Sequence, residues 1–139
     1  MNTEIYKGAR LHAYLVLSPD ALQRKKISTR IAKEMLCDNK KDDGSFCGVC
    51  SDCIKIDNQT HPDCIYLGSQ TKSVSVKTVR AALENAYLAP NEANGKVFIL
   101  ENADTFNEES QNALLKIIEE PPTGVKFVLT AGNKNALLP

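Results

Sequence analysis

A chain of 139 residues with 17 basic and 17 acidic side chains has no net charge to steer it to nucleic acid or to an anionic membrane surface. Its length suits one domain with its own core, and no apolar run approaches the roughly 20 residues of a membrane span. Five cysteines, an odd number, argue against a closed disulfide framework; with no signal-peptide cleavage pattern near the N-terminus, the expected location is the reducing cytoplasm.

The first predicted strand is the apolar run Tyr14-Leu-Val-Leu17, ended by Ser18-Pro19. A helix follows in which Ile27, Ile31 and Met35 recur at spacing four, with Ser28 and Ala32 beside them. The turn expected between them, residues 18–25, is where a phosphate-binding loop G-x-x-x-x-G-K-[ST] would sit. Its four defining positions hold Ser18, Gln23, Arg24 and Lys25 instead. Without glycines the backbone does not readily turn its amides toward phosphate. Arg24 is a planar fork where a compact ammonium is needed, and Lys25 replaces a magnesium-ligating hydroxyl with a cation. The basic run 24–26 reads either as residual phosphate or DNA-backbone contact or, more simply, as a solvated helix face.

Cys37, Cys47, Cys50 and Cys53 give the spacing C-x9-C-x2-C-x2-C, with the turn material Asp42-Asp43-Gly44-Ser45 between the first two. Four thiolates complete a tetrahedral zinc shell with no open position, which is a structural and not a catalytic site. The competing readings are a redox pair at C-x-x-C and chance clustering. Cys64 falls outside the spacing and reads as a small buried hydrophobe. His61 is a possible extra ligand, but a turn role for His61-Pro-Asp63 suits a shell already filled by sulfur. His12 has no nameable partner.

Residues 64–67 form a second short strand, and 68–73 a polar loop. Ser75 can cap a helix running to about Tyr87, with Val76, Val79, Leu83 and Tyr87 on its buried face. Asn94-Gly95 signals a turn before the third strand, Val97-Phe-Ile-Leu100. Glu101, Asn102 and Asp104 follow it, at the edge where open α/β sheets bind ligands. Asn107 can cap the next helix, with Glu108 and Glu109 in its first turn and Leu114, Leu115, Ile117 and Ile118 on its apolar face. Pro121-Pro122 stops it, and residues 127–130 make a fourth strand. Four strands separated by helices, without hairpin signals, predict an α/β fold: a mainly parallel sheet with helices on both faces and a cysteine module inserted at about 37–53. No nucleophile–base arrangement or paired-carboxylate site stands out.

These segments resemble the bacterial clamp-loader ATPase family of DNA polymerase III, and within it the delta-prime branch. The resemblance rests on His12-Ala-Tyr-Leu15, the cysteine quartet, His61-Pro-Asp63, and Gln111-Asn-Ala-Leu-Leu-Lys116 through Glu119-Glu-Pro-Pro122. It implies an AAA+ P-loop-type three-layer αβα subdomain over residues 1–139, with structural Zn²⁺ on the four cysteines. It also implies that the lid, the collar domain and a Ser-Arg-Cys motif would follow beyond residue 139. In hydrolysing members the third strand ends in Asp-Glu; here Glu101 and Asn102 stand there, and Asn102 cannot act as a carboxylate base. The γ-phosphate sensor would fall among Thr130, Ala131, Gly132 and Asn133, with no assignment possible.

With both nucleotide motifs degenerate, the resemblance implies a non-hydrolysing stator and no expected ATP binding. It would not be an enzyme by itself but a subunit of the DNA polymerase holoenzyme, a nucleotidyltransferase. Its implied partners are the gamma/tau and delta subunits, the sliding clamp indirectly, and primer–template DNA in the assembled loader. Two other readings compete: a divergent ATPase in which Arg24 and Glu101 still serve, and a zinc ribbon that binds nucleic acid.

Overall fold

The computed structural model describes residues 4–7, 13–43, 45–68, 75–90 and 95–132, without the side chains of 4–7 and Asp104. His12, Gly44, Ser73, Asn94, Asn133 and the run 136–138 therefore lie outside the described residues. Among the described residues, five strands and four helices follow one another in the order β1 (Glu4–Lys7), β2 (Ala13–Leu17), α1 (Ala21–Leu36), α2 (Ser51–Asp57), β3 (Cys64–Leu67), α3 (Val76–Glu84), β4 (Lys96–Leu100), α4 (Glu108–Glu119) and β5 (Val125–Ala131). The sheet runs β1-β2-β5-β4-β3. All neighbours are parallel except β1, which pairs antiparallel with β2.

That outer strand corrects the four-strand expectation. Four residues are too few to show a period of two, and their pairing with β2 is visible only once β2 has been placed. The parallel core is as expected, and β4 explains why. All five of its residues are buried, as a strand covered on both faces requires.

Because side chains alternate along β4, the same strand feeds two cores. Val97 and Ile99 pack with Val16, Val128 and the Ile27, Ile31, Ala32 and Leu36 face of α1. Phe98 and Leu100 pack on the other side with Val79 and Leu83 of α3 and Leu114 and Ile117 of α4. The result is the expected three layers. Leu36, not Met35, completes the buried stripe of α1.

The caps read from sequence at Ser75 and Asn107 form as such: Ser75 accepts from the Thr78 amide and Asn107 from the Ser110 amide. The predicted burial of Tyr87 does not hold, since it is 68 % exposed. After Glu84 the chain tightens into a 3₁₀ turn, Asn85–Tyr87. Its larger rotation per residue carries Tyr87 off the buried face and puts Ala86 there instead.

Lys96, 2 % exposed, was not singled out in the sequence. Its Nζ donates to the carbonyl and the Oδ1 of Asn85, both at 2.7 Å, fastening β4 to the end of α3 where a cation suits the last carbonyls.

Gly68 leaves β3 at φ +85, and a Cβ there would stand 2.5 Å from the Glu101 carbonyl oxygen. A side chain would therefore meet both backbone strain and a clash with backbone that cannot swing away. Gly68→Ala is expected to lower the unfolding free energy by roughly 1–3 kcal/mol. Urea unfolding measures this, and a midpoint within error of the parent would contradict it.

Candidate functional site

Parallel strands deliver their ends to one edge, and register pairs place Leu17 beside Ala131 and Leu100 beside Leu129. The residues that follow β2, β4 and β5 therefore meet at the carboxyl edge, around the start of α1. Asp20 caps α1 by accepting from the Leu22 amide at 3.0 Å, so the helix begins at Ala21. This corrects the expected turn of 18–25 to Ser18-Pro19-Asp20. The change matters chemically, because Gln23, Arg24 and Lys25 ride on a helix and not on a pliable loop.

Arg24 spans the crevice. Its Nη1 donates to the Ser18 carbonyl at 2.6 Å and its Nη2 to Asn102 Oδ1 at 3.1 Å. Asn102 sits in the left-handed region at φ 54, a conformation asparagine tolerates better than most side chains. Its backbone N–H donates to Thr130 Oγ1 at 3.1 Å. Ser18, Arg24, Asn102 and Thr130 are thus one hydrogen-bonded set drawn from three chain segments. The cavity left between Ala21, Arg24, Lys25, Ser28, Glu101, Asn102 and Thr130 is about 10 Å³, room for at most one water.

The other predicted positions take different places. Glu101 is half-buried at the cavity wall; burial raises its carboxyl above the ordinary value, and Lys25 and Arg24 partly oppose the shift. Lys25 is exposed, and Gln23 faces a groove on the outer side of α1. Gly132 closes the other flank, where an added Cβ would come within 3.3 Å of Arg24 Nη1. Thr130 had no assignable role in the sequence. Its role as an anchor for Asn102 joins residues 28 apart, a separation that local pattern does not report.

The cysteine quartet assembles at the far end of α1. The Sγ atoms of Cys37, Cys47, Cys50 and Cys53 all lie within 4.8 Å of one another, with Cys37 at 3.7 Å from Cys47 and 3.8 Å from Cys50. A zinc ion about 2.3 Å from each of four sulfurs would set them about 3.8 Å apart, so the donor set fits that ion. Local structure positions each sulfur. Cys37 is the residue at which α1 ends, and Cys50 caps α2, a helix the sequence did not disclose. Gly48, at φ 81, makes the turn between Cys47 and Cys50.

Backbone amides point at the sulfurs: Asn39 and Cys47 donate to Cys37, Val49 and Cys50 to Cys47, and Cys53 to Cys50, at 3.2–3.5 Å. These donors favour thiolate. The Val49 amide first, then that of Cys50, hold the Cys47 thiol down at about 6, whereas burial pushes Cys53 up to about 12.

His61 stands outside this set. Its Nδ1 accepts from the Asp63 amide at 3.0 Å, so its Nε2 carries the proton donated to Asp52 Oδ1 at 2.7 Å. Both ring nitrogens are engaged, and the residue ties α2 to the turn before β3. Cys64 is buried as expected, with its thiol pushed up to about 11 by that burial. Among the described residues, no helix is long and apolar enough to cross a membrane.

The profile of the family described as "DNA polymerase III, delta subunit" matches residues 1–139. The chain is 31 % identical over 135 residues to the DNA polymerase III subunit delta' of Pseudomonas aeruginosa, covering 96 % of this chain and 41 % of that one. It is also 31 % identical over 126 residues to the DNA polymerase III subunit tau of Salmonella typhimurium, covering 91 % of this chain and 19 % of that one. The chain thus spans less than half the length of these relatives.

In fold it is similar to a DNA polymerase III gamma subunit-related protein of Thermotoga maritima, with a TM-score of 0.52 at 17 % identity over 84 % of this chain and 42 % of that one. An AAA+-type α/β fold and a family match along the whole sequence lead to one assignment: the chain belongs to the clamp-loader subunit family of DNA polymerase III.

Proposed function

We propose that this chain is a delta-prime-type stator of the bacterial clamp loader, whose own nucleotide crevice neither binds nor hydrolyses ATP. The observation that carries the reading is Arg24. Its guanidinium bridges Ser18 and Asn102 and leaves about 10 Å³ where a triphosphate would need several hundred. The groups that would activate water are absent as well, since Asn102 is no base and Glu101 is drawn toward its neutral form by burial.

The subunit then serves by holding its shape within an assembly of gamma/tau and delta subunits in the cytoplasm. Contact with the sliding clamp is indirect, and primer–template DNA is met in the assembled loader. The cysteine quartet holds one Zn²⁺, which supplies cross-linking and no chemistry at substrate.

A second reading, a gamma/tau-like subunit that retains ATP binding, draws support from the equal identity to the tau and delta' relatives. Calorimetric titration with ATP and Mg²⁺ separates the two. The expected result is no heat of binding at millimolar nucleotide and no released phosphate. Micromolar binding accompanied by hydrolysis would overturn the stator reading.

A further inference from the structure

On the outer side of α1 lies a groove of about 890 Å³, lined also by Phe46 of the cysteine module and Asp57 at the end of α2. The α1 side carries Leu22, Lys26, Arg30 and Lys33, at the three- and four-residue spacing of one helical stripe, with Lys25 at its margin. Four cations line the groove against two carboxylates, Asp20 and Asp57. Asp20 is used in capping and Asp57 is paired with Lys33. In a chain of zero net charge, this is a local concentration of positive potential bordering a concavity. Of its lining residues, Leu22 is 77 % exposed, and Lys33 Nζ stands 5.0 Å from the centroid of the Phe46 ring.

We propose that this groove docks an acidic peptide segment of a partner protein: a short extended stretch rich in Asp or Glu, with one apolar side chain set against Leu22. The stripe from Leu22 to Lys33 is about 16 Å long, the span of roughly five extended residues. The charge of the walls selects acid, and the exposed leucine supplies an apolar anchor. Nucleic acid fits less well. Among its lining residues only Phe46 is aromatic, and Lys33 Nζ already stands over that ring, so the groove offers little for successive bases to stack on.

The test is fluorescence anisotropy with a labelled peptide of glutamate, aspartate and leucine, the same peptide with lysine replacing its acids, and a labelled single-stranded oligodeoxynucleotide. The acidic peptide is expected to bind and the basic one not. Lys26→Glu combined with Arg30→Glu should weaken binding at least about tenfold, and Leu22→Ser about threefold, with melting temperatures unchanged because all three side chains are exposed. None of the three belongs to the nucleotide crevice, so the outcome is independent of ATP binding. Three results would each overturn the proposal: no binding at millimolar acidic peptide, full binding by the charge-reversed variant, or no effect of Leu22→Ser. Tighter binding of the oligonucleotide than of the acidic peptide would reassign the groove to nucleic acid.

Discussion

Cys50→Ser is expected to release one equivalent of zinc and to lower the melting temperature by roughly 10 °C or more, a loss of at least about 3 kcal/mol. Apart from the His61–Asp52 bond, the Lys33–Asp57 pair and the packing of Ile56, few contacts order the module. Of the seven residues of α2 only Cys53 and Ile56 are buried, and a helix of that length does not hold itself together in water. Beyond its proposed place in the zinc shell, Cys50 caps α2 and receives the Cys53 amide, so its loss removes several constraints at once. Damage should concentrate locally: amides of residues 38–58 lose exchange protection, while those of β4 and β5 keep theirs. Chelation of the parent protein should reproduce the pattern, and Cys64→Ala should retain the metal. Metal analysis that found no zinc in the parent protein, or a Cys50→Ser variant that melts with it, would exclude a structural zinc centre on the four cysteines.

Phe98→Ala is the other large effect, expected to cost about 3–5 kcal/mol. Phe98 is 0 % exposed in the middle of β4, and its ring stacks on Phe127 of β5, with centroids 5.5 Å apart and planes at 24°. Truncation leaves a cavity between two neighbouring parallel strands, flanked by α3 and α4, where backbone on every side resists collapse. Phe98→Leu keeps most of the volume and should cost about 1–2 kcal/mol. Tyr87→Ala, on an exposed ring, should stay within about 0.5 kcal/mol of the parent. Chemical denaturation of the three variants gives that order, and a mild Phe98→Ala would mean that the sheet is looser than its packing implies.

The contrast between Phe98 and Tyr87 shows what pattern in the sequence carries. β4 was readable because a continuous apolar run bounded by turn signals has few alternatives, and α4 because its cap, its acidic first turn and its double proline mark both ends. The clustering of the four cysteines was readable because C-x2-C spacings let a tight turn aim neighbouring sulfurs at one point. Tyr87 was misplaced because a helical period was extended through a 3₁₀ turn that changes it. β1 and α2 were missed because elements of four and seven residues show too little of any period. At the crevice, Ser18, Arg24 and Asn102 were legible as residue types, whereas the crossing of Arg24 to Asn102 joins positions 78 apart and depends on where α1 begins. Composition at Arg24 gave its charge; only the capped start of the helix gave its direction.

That direction has a quantitative consequence. A molecule entering the carboxyl edge must first displace a guanidinium from two acceptors, and charge-assisted bonds of this kind are worth about 1.5–3 kcal/mol each. With partial exposure the lower figure applies, and opening both costs roughly 3 kcal/mol, which lowers any apparent affinity there by about two powers of ten. On the stator reading, Arg24 is a tethered competitor for the chain's own crevice, one that neither dilution nor dialysis can remove.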